Sequence, residues 1–312
     1  MPKSGDRADM ICLRRVAGRL HSAKFMASGS HYFSGFDVLS DSARSQLNPD
    51  GYPQRLTPSN SSSNSSSNRS TTTNSPTAAV VCVHGFTAMT YEVMPVARAC
   101  ADVGLTAIAP LLPGHGYREL SVQKQQFGQV SAAGYLSAVR TEIARARERY
   151  DLVGLYGHSM GGAIALILAA EGLVDACSVS APALKLPGLA EWLPPFVCWI
   201  GFTRPVNCCD PFYFPSYRFH HSYAVRALWK LSHQSRKQLS QITCPVLGIH
   251  THYDQTIPPV VLKMMQREIP GKVETAWFDP SSHAMTCDVR GADVSARVAD
   301  FFQQQFFQQQ FL

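Results

Sequence analysis

The chain has 312 residues, 45% of them hydrophobic, and 28 Lys and Arg against 22 Asp and Glu give a formal charge of +6. That supplies apolar residues for one large core or two small ones, while no apolar run reaches the roughly 18 residues of a membrane-spanning helix. The basic residues form no clustered stripe; Arg145, Arg147 and Arg149 alternate with Glu142 and Glu148 as on a solvated helix face, which argues against a nucleic-acid groove.

The first 29 residues are basic and serine-containing but lack the apolar stretch of a secretory signal. They suit a floppy leader or an organelle transit peptide, with Asp6 and Asp9 counting against the second. The nine cysteines show no metal-like spacing, and adjacency alone does not make the Cys208–Cys209 pair a site. Reduced thiols and an intracellular, cytoplasmic location are expected, with organelle targeting through the leader as the alternative. From Ser59 to Ser75 runs SNSSSNSSSNRSTTTNS, too polar to offset its ordering entropy by burial. Asn60, Asn64 and Asn68 head N-x-S/T patterns that matter only in a secreted protein. Residues 1–76 are therefore expected to be a largely disordered leader and polar segment, and residues 77–312 the folded domain.

From Thr77 the pattern alternates. AAVVCVHG (78–85) is a buried strand ending in a turn, and VMPVARACADVG (93–104) a helix closed by Gly104. LTAIAPLLPGHG (105–116) is a strand entering a glycine-rich loop. Residues 132–150 form a helix, DLVGLYG (151–157) a strand, MGGAIALILAAEG (160–172) a helix and VDACSVSAP (174–182) a short strand. Later come strand CPVLGIHTH, helix PPVVLKMMQREIPG, strand VETAWFDP and a last helix from about Asp288. Strands separated by helices of this length make βαβ units and a mostly parallel sheet, an α/β fold. Residues 183–240 break the rhythm with prolines and aromatics, among them Trp192, Phe196, Trp199, Phe202, Phe212 and Tyr217, and read as a small cap over the sheet's ligand-binding edge. The tail FFQQQFFQQQFL has a five-residue repeat that drifts around a helix, and no function is assigned to it.

Gly157-His158-Ser159-Met160-Gly161 satisfies G-x-S-x-G between a strand and a helix, the context of a nucleophile elbow. The turn lifts the Ser159 hydroxyl above the strand ends, and the helix starting at Met160 points free N–H groups and its positive dipole end at the same place. A serine needs a base, and a histidine base needs an acid to orient it. Asp254 and His283 each follow a strand, at the carboxyl edge where open α/β sheets bind ligands. His250 and His252 read as structural positions, Asp279 as a turn former, Asp288 as the cap of the last helix, and His158 as facing away from the serine. The oxyanion donors are expected at the backbone N–H groups of Phe86, after the strand exit His84-Gly85, and of Met160. The LLPGHG loop is expected to wall the same cleft, with His115 structural.

VCVHGFTA, APLLPGHG, GHSMGG, CPVLGIHTHYDQTIPP and SSHAMT, in this order, resemble the α/β-hydrolase superfamily, and more narrowly the bacterial-type carboxylesterase and monoacylglycerol lipase group. The resemblance covers roughly Thr77 to Phe302. It implies an α/β-hydrolase fold with a small cap, a cofactor-free serine hydrolase, and short- to medium-chain esters or monoacylglycerols as small-molecule, lipid-like substrates. Its nucleophile falls on Ser159, its acid on Asp254, its base on His283 and its oxyanion donors on Phe86 and Met160. The H-G-F-T form departs from the H-G-x-x-E-H form of animal monoglyceride lipases. Ser159 argues against the aspartate-nucleophile epoxide hydrolases and dehalogenases of this fold. Amidase, thioesterase and peptidase chemistry use the same machinery, and a non-catalytic protein keeping the pocket for an apolar ligand is the alternative from another class. Neither native substrate nor oligomeric state follows from the sequence.

Overall fold

Residues 32–58, 77–206 and 214–308 are described by the structure, a computed structural model. In chain order its elements are α1 (Asp41–Gln46), β1 (Gln54–Leu56), β2 (Ala78–Val83), α2 (Met94–Asp102), β3 (Thr106–Ala109), α3 (Leu120–Phe127), α4 (Ala132–Arg147), β4 (Leu152–His158), α5 (Met160–Ala170) and β5 (Ala176–Ser180). They continue with α6 (Pro194–Val197), β6 (Thr203–Pro205), β7 (Phe219–His221), α7 (Ser222–Gln238), β8 (Val246–His250), α8 (Val260–Glu268), β9 (Val273–Trp277) and α9 (Gly291–Gln303). Strand order in the main sheet is β1-β3-β2-β4-β5-β8-β9, all parallel except β1, which runs antiparallel to β3.

The near-continuous apolar strands are what a sheet covered on both faces requires. Along β2 the period-two alternation sends Ala79, Val81 and Val83 into one core, with α4, α5, α7 and α8. Ala78, Val80 and Cys82 enter the other, with α2 and α9. The chain makes β4 the middle of the sheet and delivers its carboxyl end, with those of β2, β5 and β8, to one edge.

Four expectations need correction. First, the ordered fold begins before residue 77. β1 extends the sheet, Leu47 is fully buried, and Phe33 bridges Leu111. A three-residue edge strand holds too few residues for its period to show in sequence. Residues 1–31 and the polar tract 59–75 lie outside the described residues, as do Cys208 and Cys209. Second, part of the supposed solvated face of α4 is covered by that early segment. Glu142 is buried and accepts hydrogen bonds from the Tyr32 hydroxyl and the Gly35 N–H, and burial raises its carboxyl to about 7. Arg145 pairs with Asp37 at 2.9 Å, and the Arg149 guanidinium lies 4.5 Å from the Phe36 ring centre.

Third, residues 183–240 are not cap throughout. β6 and β7 form a separate two-stranded sheet, but α7 returns to the main body, burying Ala224, Ala227 and Leu231 in the α5 side of the core. Fourth, the tail is not idle. Residues Gln304–Gln308 wind as a π-helix after α9, and Phe302 and Phe306 stack 5.8 Å apart over Gly154 of β4. Among the described residues, no helix is long and apolar enough to cross a membrane. Phe302→Ala should lower the unfolding free energy by about 3–5 kcal/mol in urea denaturation, through the cavity left over the centre of the sheet.

Candidate active site

β4 stops at His158, Ser159 takes φ 52° and ψ −113°, and α5 starts at Met160. A positive φ at serine costs on the order of 1–3 kcal/mol and persists only where its surroundings enforce it. Here the enforcement is steric and hydrogen-bonded. A Cβ on Gly157 would lie 2.1 Å from the Gly161 carbonyl oxygen, and one on Gly161 would lie 2.1 Å from the Val83 carbonyl oxygen. The Ser159 N–H donates to Ser180 O at 3.0 Å, and the Ser159 carbonyl accepts from Ala163 and Ala183. Strand, turn and helix are thus locked to β2 and β5.

The three side chains singled out from sequence come together. His283 Nε2 lies 3.0 Å from Ser159 Oγ, and His283 Nδ1 lies 2.7 Å from Asp254 Oδ2. With Asp254 ionised, Nδ1–H donates to the carboxylate and Nε2 is left to accept from the serine. Asp254 Oδ1 accepts the N–H groups of Thr256 and Ile257 at 2.7 and 2.9 Å. Burial pushes the Asp254 carboxyl up, but the His283 charge and hydrogen bond and those two amides outweigh it, bringing it down to about 2. Removal from water would lower the His283 imidazole, yet Asp254, with a smaller share from Glu92, raises it above its ordinary 6.5. The His283 side chain keeps 23% of its surface exposed, so a reactant can reach it.

The amides of Phe86 and Met160 flank the elbow, at the exit of β2 and the first turn of α5; among the described residues neither donates a hydrogen bond. The Phe86 peptide is held from behind. The buried His84 ring accepts the Leu112 N–H at its Nε2 (3.1 Å), so its Nδ1–H is free to donate to Gly85 O (3.0 Å). Burial lowers His84 to about 4, which keeps the ring neutral for both bonds. Leu112 belongs to the LLPGHG loop, so that loop braces the Phe86 side of the site. His115 is buried there, its Nδ1 2.9 Å from Pro113 O, as a structural histidine should be.

The other candidates have settled places. His158 is fully buried with Nδ1 2.9 Å from Ser180 Oγ, turned away from Ser159. His250 is buried, its Nε2 4.0 Å from Asp254. His252 stacks on Trp277 and pairs with Asp279 at 2.7 Å, so Asp279 does more than form a turn: it also accepts from the Thr251 hydroxyl and the His252 N–H. Asp288 does not cap α9, whose first residue follows Arg290 without a side-chain cap. Its carboxylate accepts the Arg290 N–H just ahead of the helix (3.1 Å) together with the Ser281 hydroxyl and the Ser282 N–H, and so ties the helix entry to the loop carrying His283.

One group escaped the sequence reading. Glu92 is buried beside the site, accepting the Gly85 N–H at Oε2 and standing 3.7 Å from His158 Nε2. Burial raises its carboxyl to about 7, against the pull of the Gly85 N–H and His283. A lone glutamate in a helix-forming run carries no period or spacing that separates it from a surface residue.

Residues 80–301 match the alpha/beta hydrolase family. The chain belongs to it. Among relatives of this hydrolase is the thermostable monoacylglycerol lipase of Bacillus sp. (strain H-257), 26% identical over 232 residues, covering 72% of this chain and 89% of the lipase. Similar folds include a chain from the structures of LipS and LipT, two metagenome-derived lipolytic enzymes (TM-score 0.71, 20% identity, covering 83% of this chain and 100% of that one). A soluble variant of monoglyceride lipase from Saccharomyces cerevisiae is also similar, with TM-score 0.64, 13% identity, and coverage of 91% and 98%. The hydrolase's own electrostatics are testable by NMR. Asp254→Asn should drop the His283 titration midpoint below its wild-type position, since the charge that raises it is gone.

Proposed function

We propose that this α/β hydrolase is a serine ester hydrolase that cleaves carboxylic esters of apolar acyl groups, monoacylglycerols among them, through an acyl-enzyme. The observation that carries the reading is the hydrogen-bonded series Asp254–His283–Ser159 beside two undonated amides. In the first half-reaction Ser159 Oγ attacks the acyl carbon while His283 Nε2 takes the hydroxyl proton, and Asp254 steadies the imidazolium. The Phe86 and Met160 amides receive the oxyanion, and the imidazolium returns the proton to the leaving alcohol as the C–O bond breaks. Water then repeats the sequence on the acyl-enzyme, releasing the acid and restoring Ser159. Electrostatic stabilisation of that oxyanion by one good donor lowers the barrier by roughly 3 kcal/mol.

The apolar preference is supported by the cap. Leu189, Trp192, Phe196, Trp199 and Ile200 are large, apolar and exposed within a short stretch of chain. A cluster of exposed apolar side chains of this kind suits a lipid-like substrate. The similarity to monoacylglycerol lipases points the same way.

Ser159→Ala should cut p-nitrophenyl butyrate hydrolysis by about ten-thousand-fold or more, with a fluorophosphonate probe labelling Ser159 in the wild type alone. Wild-type turnover in that variant would defeat the reading, and an unlabelled, inactive wild type would favour a binding protein. Because the neutral imidazole is the base, kcat/KM should fall as pH drops through a midpoint above 6.5, the direction in which Asp254 moves His283. Replacing Trp192 and Phe196 by serine should raise the apparent KM for micellar monoacylglycerol and leave that for soluble p-nitrophenyl acetate unchanged.

A further inference from the structure

The reaction outlined above uses Asp254, His283 and Ser159 but leaves the second buried carboxyl of the site, Glu92, without work. Its position is specific. Glu92 lies in the short 3-10 turn Thr90–Val93 ahead of α2, and its carboxylate reaches back to the backbone N–H of Gly85. Its own carbonyl accepts the Thr286 hydroxyl at 2.7 Å, so the same residue touches both the Phe86 loop and the loop that carries His283.

Two consecutive peptide planes meet at Gly85. The plane between Gly85 and Phe86 contains both the Gly85 carbonyl, 3.0 Å from His84 Nδ1, and the Phe86 N–H. In a trans peptide these point in opposite directions, so holding the carbonyl aims the amide. The plane before it, between His84 and Gly85, contains the Gly85 N–H and is held by Glu92. Glycine has the freest backbone of any residue, and holding one flanking plane leaves its own φ and ψ able to compensate. Both anchors are needed to fix the pair.

We propose that Glu92 is a positioning residue for the oxyanion side of the site: its buried carboxylate anchors the Gly85 amide and thereby keeps the Phe86 amide aimed above Ser159. This rests on the serine-hydrolase reading and adds to it a residue that touches neither substrate nor triad. Packing alone does not account for a carboxyl there. Burying one is costly, and an apolar side chain of similar size would fill the same space without that penalty. What an apolar side chain lacks is an acceptor for Gly85. Glu92 Oε1 faces His158 Nε2, which is buried and has no hydrogen-bond partner among the described residues. With the His158 proton on Nδ1, directed at Ser180 Oγ, its Nε2 is an acceptor for the N–H₂ of an amide at position 92, whose oxygen remains for Gly85.

The test compares wild type, Glu92→Gln and Glu92→Met in the full chain. The readouts are steady-state kinetics on p-nitrophenyl butyrate, inhibition by an alkyl trifluoromethyl ketone and thermal unfolding. The ketone adds Ser159 Oγ to its carbonyl and places the resulting oxyanion against the same amides as the reaction does. Glu92→Met should lose about tenfold or more in kcat and a similar factor in ketone affinity, with KM within about threefold of wild type. Glu92→Gln, which keeps an acceptor for Gly85, should stay within about threefold of wild type in all three. A folded Glu92→Met with wild-type kcat and ketone affinity would overturn the proposal. So would a Glu92→Gln as impaired as Glu92→Met, since charge and not the acceptor would then matter. If Glu92→Met does not fold, Glu92→Asp serves in its place, because the shorter side chain keeps a carboxylate buried but withdraws it from the Gly85 amide. Ser159→Ala is measured alongside. Turnover surviving there refutes the serine reading, whereas turnover lost there but unchanged in the Glu92 variants refutes only the role of Glu92.

Discussion

The approach of three backbones at the end of the sheet is the constraint on which the rest depends. Ser159 reaches His283 because the first turn of α5 lies against both β4 and β2, closer than any Cβ would permit at Gly157 or Gly161. That approach forces the positive φ at Ser159, stands its hydroxyl above the strand ends, and leaves the Met160 amide at an open helix terminus. It also brings the exit of β2 alongside, so the Phe86 amide arrives from the neighbouring strand. The Ser159 hydroxyl and both candidate donors thus follow from a single packing event. The pairing of β2 with β4, in register from Ala78↔Leu152 to Val83↔Gly157, maintains it.

Around that point the protein gives two carboxyls opposite characters. Asp254 and Glu92 are both buried and both feel His283, yet one falls to about 2 and the other rises to about 7. Burial pushes both carboxyls up, and the difference lies in what opposes it. On Asp254 the adjacent His283 charge acts first, joined by the imidazole N–H and two backbone N–H groups, and together they outweigh desolvation. On Glu92 one backbone N–H and a weaker pull from His283 do not. A nearby opposite charge and hydrogen bonds to the charged form act against burial on the same group. Asp254 is consequently held as a negative charge beside the His283 imidazole across the neutral range.

Much of this was legible in the sequence because its signals are local or repeat with a known period. The alternation of apolar strands and helices from Ala78 to Phe302 follows from hydrophobic period. The elbow is legible because glycine two residues either side of a serine, between a strand and a helix, has few other uses. Asp254 and His283 were found by position, each just past a strand. What was hidden depends on partners distant in the chain. α4 looks solvated until Tyr32, Gly35 and Asp37 cover it, and nothing in its own residues announces them. Asp288 looks like a helix cap because it precedes one, and only the fold shows that its oxygens are shared between the Arg290 N–H and the Ser281 loop. Glu92 is invisible for the same reason: its partner Gly85 lies seven residues back, across a turn whose shape is tertiary.

The buried polar groups of this protein are concentrated where the sheet ends, and the concentration has a physical reason. Tyr156, Ser180 and His158 form one hydrogen-bonded series from beneath the elbow, Ser180 accepting or donating at 2.6 Å to Tyr156 and 2.9 Å to His158. His84, Glu92 and Leu112 form a second beneath the Phe86 loop. Each polar side chain there would be destabilising if left unpaired in an apolar interior. Paired, each removes a rotation that the site cannot tolerate, because a hydroxyl and two amides must be aimed before a reactant arrives. The large apolar clusters on both faces of the sheet supply the stability against which such a network is maintained.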